Sequence, residues 1–379
     1  MRPGKTTSFE STILNQAMTS TRNNNEFRSG TSDAVTGSLL GCALGDSIGL
    51  PFEGISARRI RRLNPGPLRQ RLLFGYGMIS DDTEHSCIVA QALIASGGDA
   101  GAFGRNMAWR LRWWLATLPA GIGLGTLRSA IKLWLGFPYH QSGARSAGNG
   151  PMMRSAIIGA YAGGDDRLRE DLVAVSSRIT HSDARAERAA QVIACATALA
   201  LDNETISPAR AESYFGKWAR NDEALKALLQ RAAQSAADNQ SAQQFCVDND
   251  MRKGVSGFCY STLAVVLQIW FRHYDDAETA ITEAVRCGGD TDTVAAIVGG
   301  MVGARTGRHG LPQHWLRCLN DWPRSVKWME SLCDQLSQCR ESGVRQRPKY
   351  VFYPFALARN LLFILIVLAH GFRRLAPPY

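Results

Sequence analysis

The strongest constraint on this fold is a short acidic turn placed directly before an apolar helical run. Residues 288–293 read Gly-Gly-Asp-Thr-Asp-Thr, and the apolar run covers residues 294–298. Asp and Thr cap helix N-termini, and a glycine pair lets the backbone turn sharply into the cap. Because a cap needs only one such residue, this concentration of oxygen ligands also suits a hard cation such as Mg²⁺ or Mn²⁺. A plain turn and cap is the alternative.

A second acidic cluster lies far upstream, at residues 80–84, and reads Ser-Asp-Asp-Thr-Glu before the apolar run 87–93. The adjacent carboxylates Asp81 and Asp82 repel each other unless a cation or a helix N-terminus offsets their charge. An acidic first helical turn would explain this cluster alone. Two such clusters, each opening an apolar helix, favour a shared metal centre.

Helical periodicity dominates the chain, and no extended alternation typical of strands occurs. In residues 33–51 the apolar positions have helical spacing, and Gly37, Gly41 and Gly45 recur every four residues on one face. Such a glycine stripe lets a second helix approach closely. The pattern predicts an all-α protein of roughly a dozen helices.

Five sequence blocks together resemble the ADP-ribosylglycohydrolase family, in that family's order, over roughly residues 33 to 305. Each block is weak alone, and the ordered set is specific. The blocks are 37–53, 80–83, 148–154, 180–182 and 288–293.

The resemblance implies an all-α orthogonal multi-helix bundle with a binuclear metal cleft. It predicts a catalytic domain over residues 33–320. A polar arm, disordered or bound to a partner, would precede it at residues 1–32, and a basic extension with a short apolar segment would follow at residues 321–379.

The resemblance also implies site residues and two Mg²⁺ ions, with Mn²⁺ as the alternative. One ion would be held by Ser80, Asp81, Asp82 and Asp292, and the other by Glu53, Asp290, Asp292 and Thr293. Glu53 and Asp82 are the predicted catalytic residues, and Glu53 would protonate the leaving group or position the nucleophile. The predicted ADP-ribose contacts are Gly148, Asn149, Gly150, Met152, His181, Gly288, Gly289 and Tyr260. Tyr260 or Phe258 would stack on adenine, although core packing explains these rings equally well.

One loop departs from the family pattern. Many members carry Asp-Ile-Gly where this chain has Gly121-Ile122-Gly123. A catalytic carboxylate from this loop is therefore not expected here.

The reaction implied by the resemblance is hydrolysis of the N-glycosidic bond between ADP-ribose and a protein arginine. Serine-linked or O-acetyl ADP-ribose is the alternative substrate, and a non-enzymatic binding protein of the same fold is the contrasting class. An immunity protein against an ADP-ribosyltransferase toxin is one hypothesis, with the toxin bound through the arm 1–32. Deletion of that arm would then weaken toxin binding and leave hydrolysis largely intact.

Composition adds expectations about partners and location. Residues 304–379 carry twelve Lys or Arg and four Asp or Glu, which supplies most of the net charge of +10. No nucleic-acid-binding module is recognisable, so nucleic acid is not expected as a partner. The nine cysteines are scattered and indicate a reducing compartment, and residues 1–30 lack an apolar signal core, so a cytoplasmic location is expected.

The tail contains one strongly apolar segment, residues 361–369. Nine uninterrupted apolar residues are too few for a bilayer span. The segment is expected to dock on the domain or on a partner, with contact to a membrane surface as the alternative.

Overall fold

The computed structural model describes residues 32–202 and 205–373, and this part of the chain is almost entirely helical. The predicted arm 1–32 therefore lies outside the described residues except for Ser32. The helices are α1 (32–49), α2 (Ala57–Leu63), α3 (Asp81–Ser96), α4 (Ala100–Ala116), α5 (Leu124–Trp134), α6 (Ala156–Ala162), α7 (Asp166–Thr180), α8 (Ala184–Leu199), α9 (Ala211–Ala219), α10 (Glu223–Ala237), α11 (Ala242–Asp248), α12 (Cys259–His273), α13 (Ala277–Arg286), α14 (Thr291–Thr306), α15 (Gln313–Arg317), α16 (Val326–Ser342) and α17 (Tyr353–Arg373).

The all-α prediction is confirmed, and the prediction of about a dozen helices is too low. The extra helices include short ones such as α11 and α15, whose few turns give too little periodicity to recognise. In the described chain the only named strands are two-residue segments, β1 (Ile55–Ser56) and β2 (Gly288–Gly289), which pair antiparallel. Four short 3₁₀ turns complete the regular structure, at Leu50–Phe52, Tyr139–Gln141, Met152–Arg154 and Pro208–Arg210.

The predicted glycine stripe on α1 packs against α14. A Cβ added at Gly37, Gly41 or Gly45 would collide with backbone carbonyl oxygens of Gly303, Gly299 and Ala295, respectively. The two backbones are thus closer than any side chain would allow. This close approach fixes the position of the N-terminus of α14, which carries the acidic turn 290–293.

Replacing Gly41 with alanine is expected to lower the free energy of unfolding by about 1–3 kcal/mol, because the added methyl overpacks a rigid backbone contact. Gly216→Ala on α9 is the matched control, since its Cβ would meet only the Glu212 side chain at 3.5 Å. The control should be neutral or slightly stabilising, because alanine is the better helix former. Urea denaturation measures both, and equal effects would contradict the packing argument.

The main core extends beyond the predicted domain boundary at residue 320. Helix α16 places Met329, Leu332 and Leu336 in the same buried cluster as α1 and α3. All nine cysteines are free, and eight of them are buried as small core residues.

Two described helices have the length and apolar composition of a membrane span. The most apolar 18-residue stretch of residues 32–52 is wholly buried in the protein, whereas only 28% of the corresponding stretch of Tyr353–Arg373 is buried. Helix α17 is thus far longer than the nine-residue segment recognised in the sequence. It continues through Arg359 and Asn360 because both side chains are buried against the domain.

Candidate active site

Two helix N-termini bring the acidic clusters into direct contact. Ser80 caps α3, and its Oγ accepts a hydrogen bond from the Asp82 N–H at 3.3 Å. Helix α14 begins immediately after Asp290. From its first turn, the Thr293 hydroxyl donates to Oδ2 of Asp82 at 3.2 Å. The positive ends of two helix dipoles therefore meet where the carboxylates accumulate.

A cavity of about 400 Å³ opens beside these N-termini. Its wall contains most of the predicted site residues: Glu53, Ser80, Asp81, Gly148, Asn149, Gly150, His181, Asp290, Asp292 and Thr293. Blocks separated by up to 240 residues in sequence thus line one concave surface. The two larger grooves in the described chain, of about 970 and 1200 Å³, are lined by other residues.

Five predicted site residues do not line this cavity. Asp82 is buried behind the wall, where it contacts Ser80 and Thr293. Met152 is fully buried, and the neighbouring Met153 reaches the cavity instead. Gly288 and Gly289 form β2, which positions Asp290; their φ angles of +71° and +83° explain why glycine is needed there.

Tyr260, the fifth, is held away from the cavity. Its ring is buried, and its hydroxyl donates to Oδ2 of Asp222 at 2.6 Å. Phe258, the other candidate for adenine stacking, is 39% exposed, and its backbone pairs with Gly148 at the cavity rim. Tyr260 thus occupies a core position, whereas Phe258 is partly exposed near the site, with the Arg185 guanidinium 5.5 Å from its ring centroid.

The carboxylates carry unbalanced buried charge. Burial raises the pKa of Asp82 and of Asp292 well above the usual range, and neighbouring carboxylates add to both shifts. One oxygen of each, Oδ1, has no hydrogen-bond partner among the described residues. Within this part of the chain, neither carboxylate forms a salt bridge with Lys or Arg. Buried carboxylates of this kind are neutralised either by a proton or by a bound cation.

Asp46 lies inside the first family block and was not among the predicted site residues, but the structure places it beside them. It is fully buried, and its Oδ2 accepts hydrogen bonds from the Ser80 and Thr83 N–H groups at 2.8 and 3.2 Å. Burial raises its pKa to about 6. Asp46 thereby fixes the first turn of α3 in front of the cavity.

The donor set fits hard divalent cations in its chemistry. Carboxylates and hydroxyls are the preferred ligands of Mg²⁺, and Oδ1 of Asp46, Asp82 and Asp292 are unpartnered oxygens at one place. Among the described residues, no group of three or more His, Cys, Asp or Glu side chains has the arrangement of a ready-made metal site. It is the unpaired buried oxygens that indicate a cation here.

His181 is held neutral at the opposite wall. Arg154 donates to Oγ1 of Thr180 at 2.6 Å, and that hydroxyl lies 2.9 Å from Nδ1 of His181. The Thr180 hydroxyl also reaches the backbone oxygen of Ser177, at 3.5 Å. Burial, followed by the charge of Arg154, lowers the pKa of His181 to about 3. Nε2 is bordered by Gly125, Gly148 and Gly150, which leave room for a ligand.

The loop that departs from the family pattern also lies at the cavity. Gly121 has φ +82°, and a Cβ there would lie 3.3 Å from Oδ1 of Asp81. Residue 121 thus faces the acidic cluster, but as a glycine it contributes no carboxylate. Phe363 and Val367 of α17 also line the cavity, although their distance in sequence gave no indication of this role.

The chain is similar to known proteins over most of its length. The sequence profile of the ADP-ribosylglycohydrolase family matches residues 28–345. An Archaeoglobus fulgidus protein without an assigned function is 30% identical over 75% of this chain and 90% of its own length. The ADP-ribosyl-[dinitrogen reductase] glycohydrolase of Rhodospirillum rubrum is 26% identical over 76% of this chain and 90% of its length.

Two further matches are a curated relative and a solved structure. The ADP-ribosylarginine hydrolase Tri1 of Pseudomonas putida is 26% identical over 82% of this chain and 80% of its own length. A structure described as an ADP-ribosylglycohydrolase-related protein complex has a TM-score of 0.56, 26% identity, and covers 82% of this chain and 99% of its own. The chain therefore belongs to the ADP-ribosylglycohydrolase family and is a hydrolase of ADP-ribosyl linkages.

Proposed function

We propose that the protein hydrolyses the N-glycosidic bond between ADP-ribose and a protein arginine in a Mg²⁺-dependent reaction. The observation that carries the proposal is the pair of acidic helix N-termini, with their unpaired buried oxygens, at one cavity. The name of the Pseudomonas putida relative supports arginine as the linkage.

Two cations would be held by the ligand sets predicted from the sequence, with Asp292 shared between them. When bound, they would supply Lewis acidity toward the ribose hydroxyls and water. They would also balance the carboxylates whose pKa values burial raises. Mn²⁺ could replace Mg²⁺, because the ligands are all oxygen atoms.

The chain's own residues would bind and orient the ADP-ribose. The Nε2–H of His181 would donate to a ribose or phosphate oxygen. The Asn149 side-chain amide donates to Oδ2 of Asp290 at 2.8 Å and to Oγ1 of Thr262 at 3.0 Å, which keeps the 148–150 turn beside the acidic cluster. Phe258 would stack on adenine in place of the buried Tyr260, since base stacking requires only an accessible aromatic face.

Glu53 would transfer the proton to the leaving guanidine. It follows the turn Leu50–Phe52, is exposed, and lies on the cavity wall. Its charge acts on both Asp81 and Asp292, so it is close to the acidic cluster. An accessible carboxyl group near the reacting carbon is what general acid catalysis requires.

The biological role that we propose is reversal of mono-ADP-ribosylation, with immunity to an ADP-ribosyltransferase toxin as one form of it. The arm 1–32, through which a toxin would bind, lies outside the described residues apart from Ser32. Toxin binding and a cytoplasmic location stay predictions.

A comparison of linkages tests the reaction. Wild-type protein should release ADP-ribose from an arginine-modified protein with Mg²⁺, lose this activity in EDTA, and regain it when Mg²⁺ is added in excess. Release from a serine-modified protein alone would keep the chemistry and contradict the arginine linkage. Failure to release ADP-ribose from either substrate would contradict the proposed reaction and favour a binding protein.

A further inference from the structure

Helix α17 has the reverse of the usual polarity of a surface helix, with polar side chains facing the protein and apolar side chains facing outward. Its polar side chains Arg359 and Asn360 are buried, with only 4% and 0% exposure. Arg359 forms a salt bridge with Asp321, and the Asn360 amide donates to the backbone oxygen of Thr117 at 2.9 Å. A helix at a water-facing surface normally places such groups outward and its apolar groups inward.

The outer face of α17 is apolar along its whole length. The side chains that are at least one-third exposed there are Phe355, Leu361, Leu362, Leu365, Leu368 and Phe372. The patch continues onto Phe352 and onto Trp322, whose ring lies 4.8 Å from that of Phe355. An exposed apolar surface of this extent marks an interaction site.

The charge around the patch indicates which partner fits. After Glu341 the chain carries six Lys or Arg and no Asp or Glu. Arg345, Arg347 and Lys349 come before the helix, Arg373 is its last residue, and Arg374 follows in the sequence. An apolar face flanked by basic residues is the pattern of helices that bind anionic lipid surfaces. A second copy of this chain would instead bring two like-charged patches together.

Contacts at both ends show that α17 lies along the protein surface. Near its start, the ring of Tyr353 stacks on Trp113 with centroids 5.5 Å apart. Near its end, Nε2 of His370 lies 2.6 Å from the backbone oxygen of Leu72. Between them, Phe363 and Ile366 pack on Leu50 and Met78. A helix attached along one side in this way can lie in a membrane interface, whereas spanning a bilayer would require these contacts to break.

We infer that the outer face of α17 inserts into the interfacial region of an anionic membrane, with the helix axis in the membrane plane. The exposed leucines would enter the acyl boundary, and the flanking basic side chains would contact the headgroups. Membrane binding does not depend on the proposed hydrolase activity. If both hold, the cavity lined by Phe363 and Val367 opens beside the lipid surface, and the substrate is an ADP-ribosylated protein located at that surface.

Vesicle co-sedimentation of the full-length protein tests this inference. Binding is expected to vesicles of phosphatidylcholine mixed with phosphatidylglycerol, and to be much weaker with phosphatidylcholine alone or at high salt. The triple substitution Leu361→Gln, Leu365→Gln and Leu368→Gln should weaken binding by at least about tenfold, because three side chains lose favourable transfer into lipid.

A matched triple substitution elsewhere is the control. Ile131, Leu135 and Val344 are exposed by 45%, 72% and 60% and lie outside α17. Their change to glutamine should leave vesicle binding unaltered. A second variant, Arg347→Gln with Lys349→Gln, should reduce binding to the anionic vesicles only.

Three results would overturn the inference. One is the absence of binding to anionic vesicles by folded wild-type protein. Another is equal binding by wild type and the α17 triple variant. The third is a concentration-dependent dimer in light scattering that the α17 substitutions dissociate, because a second copy would then cover this face. None of these readouts depends on release of ADP-ribose, so a failure here is distinct from a failure of the proposed reaction.

Discussion

Asp292→Ala is expected to reduce Mg²⁺-dependent release of ADP-ribose by more than about 100-fold. Asp292 lies at the start of α14, lines the cavity, and is the one residue assigned to both predicted cations. Loss of a residue that only supports a metal ligand costs about 10–100-fold in affinity or activity, and loss of a shared ligand should cost more. The measurement is kcat/KM on an arginine-ADP-ribosylated protein with saturating Mg²⁺.

Thermal unfolding distinguishes this effect from a folding defect. In the absence of a divalent cation the variant should be at least as stable as wild type, because it removes one of several mutually repelling buried carboxylates. Mg²⁺ should raise the Tm of wild type, since a ligand that binds only the folded state stabilises it, and should raise that of the variant much less.

Asp334→Ala on the exposed face of α16 is the matched control and should retain both the activity and the Tm response. Wild-type activity in the Asp292→Ala variant would contradict the assignment of Asp292 as a residue of the site. If Mg²⁺ raised the Tm of that variant as much as that of wild type, the cation would not be bound by the acidic turn at the start of α14.

The sequence was sufficient to predict the fold class from local periodicity, and the convergence of the acidic clusters from their shared composition together with the family resemblance. Ser80 and Asp290 each precede an apolar helix, and two helix N-termini of this kind were expected to meet. The glycine stripe at Gly37, Gly41 and Gly45 predicted a close helix partner, and the structure identifies that partner as α14. Local spacing was informative in each case.

The features that sequence reasoning missed depend on pairings over long distances. Tyr260 was assigned to the ADP-ribose site because nothing in the sequence indicated that Asp222 would hold the Tyr260 hydroxyl in the core. The length of α17 was underestimated because Arg359 interrupts its apolar run. The helix can be extended through Arg359 only if it is known that Asp321, 38 residues earlier, neutralises the arginine. Periodicity within one helix carries no information about such a partner.

Arg359→Met is expected to lower the free energy of unfolding by about 3–5 kcal/mol, because it leaves the buried Asp321 carboxylate without its cation. Asp321 is 1% exposed, and burial raises its pKa while Arg359 opposes that shift. The same arginine donates to the backbone oxygen of Ile79, and the Ile79 N–H donates to Asp321 at 3.2 Å. Urea denaturation at neutral pH measures the loss.

A second substitution tests whether unpaired charge is the cause. Asp321→Asn in the Arg359→Met background removes the charge, and its side-chain oxygen can still accept from Ile79, so most of the lost stability should return. Arg347→Met, at an exposed position, is the control and should stay within about 0.5 kcal/mol of wild type. A loss below about 1 kcal/mol for Arg359→Met, or no recovery in the double variant, would contradict the buried-pair argument.

The same pair connects α17 to the cavity wall, so its loss should also affect activity. Ile79 directly precedes Ser80, the cap of α3, and the backbone of Ile79 contacts both members of the pair. Phe363, one helical turn beyond Arg359, lines the cavity. In conditions where Arg359→Met remains folded, its kcat/KM should therefore fall, whereas the Arg347→Met control should keep wild-type activity. Recovery of stability and activity together in the double variant would show that one buried charge pair maintains both the attachment of α17 and the shape of the site.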